Sequence, residues 1–165
     1  MKKERHNGHE REIPNAHLFH IILPIVFIII WFLDSNIFRI STFLNDFVPF
    51  IIRVVLFIIV FVIAITFIML SHRALFKSHH PPNTLITNGI LGYVRNPMYL
   101  GILLIYLAFI CLSISLISIC LFIPIFLVYN WMVNFEENVL ENMFNIEYLE
   151  YKKKVPKWIP NPFKK

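Results

Sequence analysis

The stretch NTLITNGILGYVRNPMYLG, from Asn83 to Gly101, decides how the rest of the chain is organised. It begins as a polar loop and places Arg95, Asn96 and Tyr99 where a long apolar run starts. An arginine at such an edge is costly unless an anionic or carbonyl-rich group meets it. The stretch therefore predicts a polar site at the beginning of an apolar helix.

A second group of polar residues follows the next apolar run. It consists of Asn134, Glu136, Glu137 and Asn138. If the intervening apolar residues form a helical hairpin, the two polar ends lie on the same side of a membrane. We therefore expect the arginine and the two glutamates to belong to one site.

The composition excludes a typical soluble domain. Of the 165 residues, 58% are hydrophobic and only 15% are charged, which is typical of an integral membrane protein. The net charge of +5 raises the question of nucleic acid, but the basic residues flank apolar runs, where they orient a protein in a membrane. We expect no nucleic-acid partner.

The histidines do not predict a metal site. His79 and His80 are adjacent but lack a third ligand at a usable spacing. The histidines near the N-terminus also lack metal-site spacing, and we interpret them as solvated or interfacial: His6, His9, His17 and His20. We expect no bound metal.

The apolar runs predict an all-α integral membrane protein with about four transmembrane helices. Residues 18–33 and 47–70 each provide one span, the first somewhat short. Residues 98–134 are too many for one span and barely enough for two, and serines mark their centre. We therefore expect two short helices joined by a turn near residues 112–116.

The distribution of basic residues predicts the orientation of these helices. With both termini in the cytoplasm, 13 of the 15 lysines and arginines lie on the cytoplasmic side, as the positive-inside rule requires. Arg39 and Arg53 are the exceptions. Arg53 lies about one turn inside its helix, and we expect it to extend towards the membrane interface.

Residues 135–151 predict an amphipathic C-terminal helix. Apolar residues recur at helical spacing, and five of the ten acidic residues of the chain lie between them. A helix lying on the membrane surface is one interpretation, but near anionic lipid such a helix should be basic. Its acidic first half favours a cationic ligand or the loop at Arg95.

These motifs together resemble a known family. The pattern LITNGILGYVRNPMYLG, then a membrane hairpin, then EENVLENMFNIEYLEYKKKVPKWIP is similar to the isoprenylcysteine carboxyl methyltransferase family. It is more broadly similar to the membrane methyltransferases that include phospholipid methyltransferases. The resemblance covers residues 84–160, about half of the chain, with three linked motifs in the right order. The first two spans carry no comparable signature.

The resemblance implies S-adenosylmethionine (AdoMet) as the methyl donor, bound on the cytoplasmic side between the Arg-Asn-Pro loop and the Glu-Glu helix. The apolar runs and the resemblance together divide the chain into a polar tail (1–16), two transmembrane helices (17–70) and a cofactor-binding catalytic part (71–165). This last part comprises a loop (71–97), a helical hairpin (98–134), and a C-terminal helix and tail (135–165). The residues that it implies for the cofactor site are Asn83, Thr84, Leu85, Ile86, Leu91, Asn96, Pro97, Met98, Tyr99 and Glu136.

Three charged residues are the expected catalytic group. Glu136 can accept a hydrogen bond from the ammonium of the cofactor, and Arg95 can pair with its carboxylate or with a substrate anion. Tyr99 adds an aromatic face that suits a sulfonium cation. Glu137 is the nearest base for an amine acceptor.

The sequence departs from the family pattern at positions that bear on the substrate. Asn96 replaces the usual histidine, Asn145 replaces a glycine, and Ile90-Leu91 replaces a Pro-Tyr pair. Met132 stands where carboxyl-methylating relatives carry an arginine, about one turn before the glutamate pair. The obvious clamp for a prenylcysteine carboxylate is therefore missing.

The leading hypothesis is an AdoMet-dependent membrane methyltransferase whose lipophilic acceptor enters from the bilayer. The acceptor is either a prenylated or otherwise hydrophobic carboxylate or thiol, or a phospholipid amine. The alternative is a non-enzymatic membrane protein that keeps a relic cofactor loop. A transporter would be expected to place polar residues within its spans and often to show internal repeats. Here the polar residues cluster at one membrane face, which favours an enzyme.

Overall fold

The computed structural model describes residues 16–77 and 84–160, except for the side chains of residues 76 and 77. The polar tail, the His79–His80 pair and Asn83 lie outside these residues. Within the described part, all regular structure is helical. Five α-helices are present there: α1 (Ala16–Phe32), α2 (Phe50–His72), α3 (Pro97–Ser113), α4 (Leu116–Phe144) and α5 (Ile146–Lys154).

Among the residues that the structure describes, three helical segments are long and apolar enough to cross a membrane. They comprise 23 residues from Ala16 to Phe38, 26 from Phe50 to Leu75 and 29 from Leu116 to Phe144. The first two include π-helical turns, Leu33–Phe38 after α1 and Arg73–Lys77 after α2. With 17 residues, α3 is a shorter apolar helix. The expected all-α integral membrane fold is confirmed.

The hairpin between α3 and α4 has the turn that the sequence predicted. Pro97 begins α3, where its missing N–H costs no helical hydrogen bond. The helix ends at Ser113, followed by Ile114 in a left-handed conformation with φ of 41°. Ser115 then caps α4, because its hydroxyl accepts a hydrogen bond of 3.0 Å from the N–H of Ser118.

The helix boundary that we expected between residues 134 and 135 is wrong. α4 continues to Phe144, and the chain breaks only at Asn145, which has φ of 49° and ψ of −120°. The reason is that the apolar spacing from Phe135 onward continues the period of the preceding span, with no helix-breaking residue between them. Residues 135–151 therefore form the end of α4 and most of α5.

Close packing joins α2 to α3 at Gly101. A Cβ atom at this position would lie 2.6 Å from the Cγ1 of Ile68 and 2.9 Å from the carbonyl oxygen of Ala64. Ala64 is itself completely buried. Small residues at this contact let the two backbones approach, as is common between helices in membranes.

Aromatic contacts join α1 to α3. Phe27 packs edge-to-face on Tyr106, with ring centroids 4.8 Å apart, and Trp31 packs in the same way on Phe109 at 5.0 Å. The indole N–H of Trp31 also donates to the carbonyl oxygen of Phe109 at 3.0 Å. These contacts fix the second half of α1 against α3.

A polar cluster lies where α1 ends and the hairpin turns, and we call Asp34, Ser41 and Ser115 the far-face cluster. The buried carboxylate of Asp34 accepts hydrogen bonds of 2.5 Å from the hydroxyls of Ser41 and Ser115. Nearby, Arg53 of α2 donates to the carbonyl oxygens of Val48 at 3.2 Å and Leu112 at 3.0 Å. Hydrogen bonds thus connect α1, α2 and the hairpin at this face.

Candidate functional site

A cavity of about 510 Å³ lies at the opposite end of the bundle, where α3 begins. Its volume is within the range of sites that bind small molecules and cofactors. We call it the polar cavity. The predicted site residues that line it are Thr84, Leu85, Ile86, Leu91, Arg95, Asn96, Pro97, Met98, Tyr99 and Glu136.

Two predicted residues are not placed in the lining. Asn83 lies outside the described residues. Glu137 is buried, with 4% of its surface exposed, and it is not among the residues that line the polar cavity. The two neighbouring glutamates of α4 therefore have different surroundings.

Glu136 faces the polar cavity and is held by Tyr99. The hydroxyl of Tyr99 donates a short hydrogen bond to Oε1 of Glu136 across the gap between α3 and α4. Among the described residues that line the cavity, Glu136 is the only carboxylate. It therefore provides the negative charge with which a cationic ligand would pair.

Glu137 forms a buried ion pair with Arg95. The Nε of Arg95 donates to Oε1 of Glu137 at 3.0 Å, and its Nη2 donates to Oε2 at 3.2 Å. The side chains are only 11% and 6% exposed, so this two-point contact is well shielded from water. Asn96 completes it by donating from Nδ2 to Oε1 of Glu137 at 2.8 Å.

Arg95 also fastens the segment that follows α5. Its Nη1 donates to the carbonyl oxygens of Lys152 at 3.0 Å and Val155 at 2.8 Å. Its backbone N–H donates to the carbonyl oxygen of Pro156 at 3.0 Å. Most of the donors of the guanidinium are thus used within the protein, and we call Arg95, Glu137 and the segment 152–156 the clamp.

Met132 is completely buried in the core between the helices. It does not line the polar cavity. The position at which carboxyl-methylating relatives are expected to carry an arginine therefore contributes packing in this chain. Arg95 is then the one arginine or lysine among the described residues that line the cavity.

Two tyrosines of α5 close the side of the cavity. Tyr151 is buried, and its hydroxyl donates to the carbonyl oxygen of Leu91 at 2.7 Å. Burial raises the pKa of both Tyr148 and Tyr151 above the usual value for tyrosine. Both therefore stay neutral near pH 7 and can act as hydrogen-bond donors.

The chain after α5 returns to α4 through Lys157. Its Nζ donates to the side-chain oxygens of Asn130 at 2.8 Å and Asn134 at 2.6 Å. Partial burial lowers the pKa of Lys157, while the charge of Glu137 opposes that shift. Lys157 therefore anchors the C-terminal segment on α4.

Sequence reasoning missed several residues of the cavity. They come from α1, α2, the end of α4 and α5, and include His17, His20, Ser71, Leu140, Phe144, Tyr148 and Tyr151. The spacing of the α1 residues shows which of them share a face of the helix, but not that this face packs on α3. Ala16, His20, Pro24, Phe27 and Ile28 follow the helical repeat and form one stripe of α1.

A second cavity, of about 310 Å³, is lined on one side by four residues of that stripe: His20, Pro24, Phe27 and Ile28. Its lining is almost entirely apolar and comes mainly from α1 and α3, and we call it the apolar groove. Two residues, His20 and Met98, line both it and the polar cavity. The hydroxyls of Tyr106 and Tyr129, 3.4 Å apart, are its other polar groups.

No group of three or more histidine, cysteine, aspartate or glutamate side chains that could hold a metal ion occurs among residues 16–77 and 84–160. The site is therefore described by its one cavity-facing carboxylate, its aromatic hydroxyls and the backbone at the start of α3.

Taken together, the fold and the site define a membrane protein with a polar cavity at one end of its helices and an apolar groove beside it. The phospholipid methyltransferase family model matches residues 49–147. Since this is more than half of the chain, the chain belongs to this family of membrane methyltransferases. The matched residues include α2, α3, α4 and the loop with Arg95, but not α1.

One curated relative is similar over a shorter segment. The chain is 35% identical over 77 residues to the protein-S-isoprenylcysteine O-methyltransferase of Schizosaccharomyces pombe. The match covers 46% of this chain and 33% of that protein, so the aligned segment spans about a third of the relative's length. No solved structure matches the chain significantly.

Proposed function

We propose that this protein is an AdoMet-dependent methyltransferase that acts on a lipophilic acceptor at the membrane. The observation that carries the proposal is that the two cavities are adjacent and share His20 and Met98 in their linings. A polar cavity with one carboxylate suits a cationic, water-soluble donor, and an apolar groove between membrane helices suits a lipid chain. The two reactants would meet where the cavities join.

The described residues fit the proposed cofactor. Glu136, oriented by Tyr99, would accept a hydrogen bond from its ammonium. The positive end of the α3 dipole, at Asn96 and Pro97, favours its carboxylate. The rings of three tyrosines, Tyr99, Tyr148 and Tyr151, offer aromatic faces for the sulfonium and the adenine ring of the cofactor. When bound, AdoMet supplies a methyl group activated by a positively charged sulfur.

The protein contributes chiefly positioning and exclusion of water in this proposal. Methyl transfer needs the nucleophile and the methyl carbon in line, and an enclosed site keeps water from competing. We assign Arg95 and Glu137 a positioning role, because their clamp holds the cofactor loop against the end of α5. Glu137 is poorly suited to act as a base, since both its oxygens accept hydrogen bonds within the protein.

The groove and the available charges favour some classes of acceptor over others. Proteins in the matched family are described as phospholipid methyltransferases, and the yeast relative as an isoprenylcysteine O-methyltransferase. A carboxylate acceptor is the less favoured of these here, because Met132 is buried in the core and Arg95 is held by the clamp. An acceptor with an uncharged or cationic head group fits the cavity better.

The test begins with AdoMet binding by calorimetry on protein purified in detergent. Transfer of a radiolabelled methyl group would then be measured on acceptors that share one chain length: dodecanethiol, dodecylamine and dodecanoate. N-acetyl-S-farnesylcysteine and phosphatidylethanolamine vesicles would represent the relative and the family. We expect micromolar AdoMet binding and methylation of at least one acceptor. Absence of AdoMet binding by folded protein would favour the relic hypothesis.

A further inference from the structure

His20 of α1 lies at the junction of the polar cavity and the apolar groove. It lines both, and its ring stands 5.7 Å from the ring of Tyr99 and 5.6 Å from that of Tyr129. Tyr99 in turn holds the cavity-facing Glu136. The imidazole therefore lies between the proposed cofactor site and the path of the acceptor chain.

The other residue at the junction cannot act on a proton. Met98 has only a thioether, which is a weak hydrogen-bond acceptor. The polar groups deeper in the groove, Tyr106 and Tyr129, are phenols that are poor bases at neutral pH. An imidazole has two ring nitrogens, so it can keep one hydrogen-bond partner within the protein and meet a ligand with the other.

His20 lies outside the residues that the family model matches, which begin at residue 49. Our interpretation of His20 from the sequence as a solvated or interfacial side chain missed its place in the lining. The family comparison therefore leaves any contribution of α1 to the reaction unassigned, while the structure places α1 along both cavities.

We propose that His20 is a catalytic base that takes the proton from the nucleophilic atom of the acceptor, and that the acceptor is a lipophilic thiol or amine. This proposal rests on the proposed methyltransferase function. A carboxylate acceptor is already ionised at neutral pH and needs no base. A thiol or an ammonium group must lose a proton to expose the lone pair that attacks, and His20 is placed to accept it.

The charges and bonds of the step balance. For a thiol, the proton passes to the imidazole of His20, and a sulfur lone pair of the acceptor forms the new bond to the methyl carbon. The bond between that carbon and the sulfonium sulfur breaks, and its electron pair stays on the donor sulfur. The positive charge that the donor loses is then carried by the imidazolium of His20. For an amine, the ammonium first gives one N–H proton to the imidazole of His20. The nitrogen lone pair then forms the bond to the methyl carbon, and the product is an N-methylammonium.

The experiment compares His20→Ala and His20→Gln with wild type on dodecanethiol, dodecylamine and dodecanoate. We expect kcat on the thiol or the amine, whichever wild type methylates, to fall about 10²- to 10⁴-fold. His20→Gln keeps hydrogen-bonding groups but has no basic nitrogen, so it should lose activity equally. Added imidazole should restore part of the activity of His20→Ala. His72→Ala, at the end of α2 and in neither cavity, is the matched control.

Binding gives a second readout that does not depend on turnover. AdoMet affinity by calorimetry should be the same in wild type and both His20 variants. Dodecyl methyl sulfide, which has no proton to lose, should also bind His20→Ala as it binds wild type. Ile28→Trp, which fills the apolar groove, should weaken that binding.

The outcomes separate this inference from the proposed function. Methylation of dodecanoate alone by wild type, or full activity of His20→Gln on the thiol and the amine, would overturn the role of His20 and leave the methyltransferase standing. A wild type that binds no AdoMet would remove both. Activity that falls together with AdoMet affinity in the His20 variants would assign His20 to cofactor binding and would contradict a base.

Discussion

The two consecutive glutamates of α4 show how a rotation of less than a third of a turn gives neighbouring carboxylates different surroundings. Successive residues of an α-helix point about 100° apart. Glu136 therefore faces the polar cavity and meets Tyr99, while Glu137 points to Arg95 and Asn96. Substitutions at these adjacent positions should have different consequences.

We expect Glu136→Ala to weaken AdoMet binding about 10- to 100-fold without unfolding the protein. The expected loss follows from removing one hydrogen bond to a charged group, about 1.5–3 kcal/mol. Calorimetry measures the affinity, and thermal unfolding in detergent measures the stability. Glu147→Ala, at an exposed position of α5, is the control. Unchanged AdoMet affinity in Glu136→Ala would contradict the site assignment.

We expect Arg95→Ala to be more damaging than Arg53→Ala. Removing one partner of a buried ion pair leaves the other charge uncompensated and costs about 3–5 kcal/mol. Arg53 donates only to the neutral carbonyl oxygens of Val48 and Leu112, so its removal leaves no buried charge. Thermal unfolding and turnover of the two variants measure the difference, and equal losses would contradict this ordering.

At this scale, the sequence predicted which residues meet but not what each one does. The polar ends of the hairpin were expected to form one site, and Arg95, Tyr99 and Glu136 do line one cavity. The partner of Arg95 could not be predicted, because a guanidinium pairs equally well with a ligand anion and with Glu137. His20 was missed because the sequence alone does not show which face of α1 packs on α3.

At the scale of single elements, the break between α4 and α5 depends on Asn145. Its φ of 49° and ψ of −120° form a conformation that residues with a side chain rarely adopt. The break turns α5 so that Tyr148 and Tyr151 are buried against the cavity. The position needs a residue that tolerates positive φ, as expected of the asparagine that replaces a glycine.

We expect Asn145→Gly to stabilise the protein by about 1 kcal/mol and Asn145→Val to destabilise it by more than that. Glycine has no Cβ to clash at positive φ, whereas valine is branched at Cβ. Thermal unfolding in detergent compares the two variants with wild type. The opposite order of stability would mean that the backbone at Asn145 is not strained.

Helix boundaries were predictable where side chains mark them. Pro97 marks the start of α3, one residue before the expected start of the hairpin, and the serines around Ile114 mark its turn. No such marker separates Asn134 from Phe135, and the helical spacing continues unbroken, so α4 continues past the glutamates. The amphipathic pattern that suggested a separate helix is the same pattern that a longer α4 needs.

At the scale of the whole molecule, basic residues are concentrated at the end with the polar cavity. Arg73, Arg95 and Lys152–Lys154 lie in the segments near it, whereas Arg39 and Arg53 lie near the far-face cluster. This distribution supports the prediction from the positive-inside rule, in which the cavity and both termini face the cytoplasm. The all-α architecture follows from composition, but the orientation stays a prediction.

We expect cysteine labelling to give this orientation. In a protein whose Cys111 and Cys120 are replaced by alanine, Asn36→Cys should react with a membrane-impermeant maleimide on intact cells. Glu150→Cys, exposed on α5, should react only after the membrane is disrupted. The reverse pattern would place the polar cavity on the outer side.

The far-face cluster holds helix ends together at the end of the bundle that lies opposite the polar cavity. Hydrogen bonds at Asp34, Ser115 and Arg53 join the helix ends at one face, while the two cavities lie among α1, α3 and α4 towards the other. If the helices spread to admit a reactant, we expect the movement to pivot about these joined ends and to be widest at the polar cavity. Asp34, Ser115 and Arg53, which line neither cavity, would then influence how widely the polar cavity opens and how fast a product dissociates.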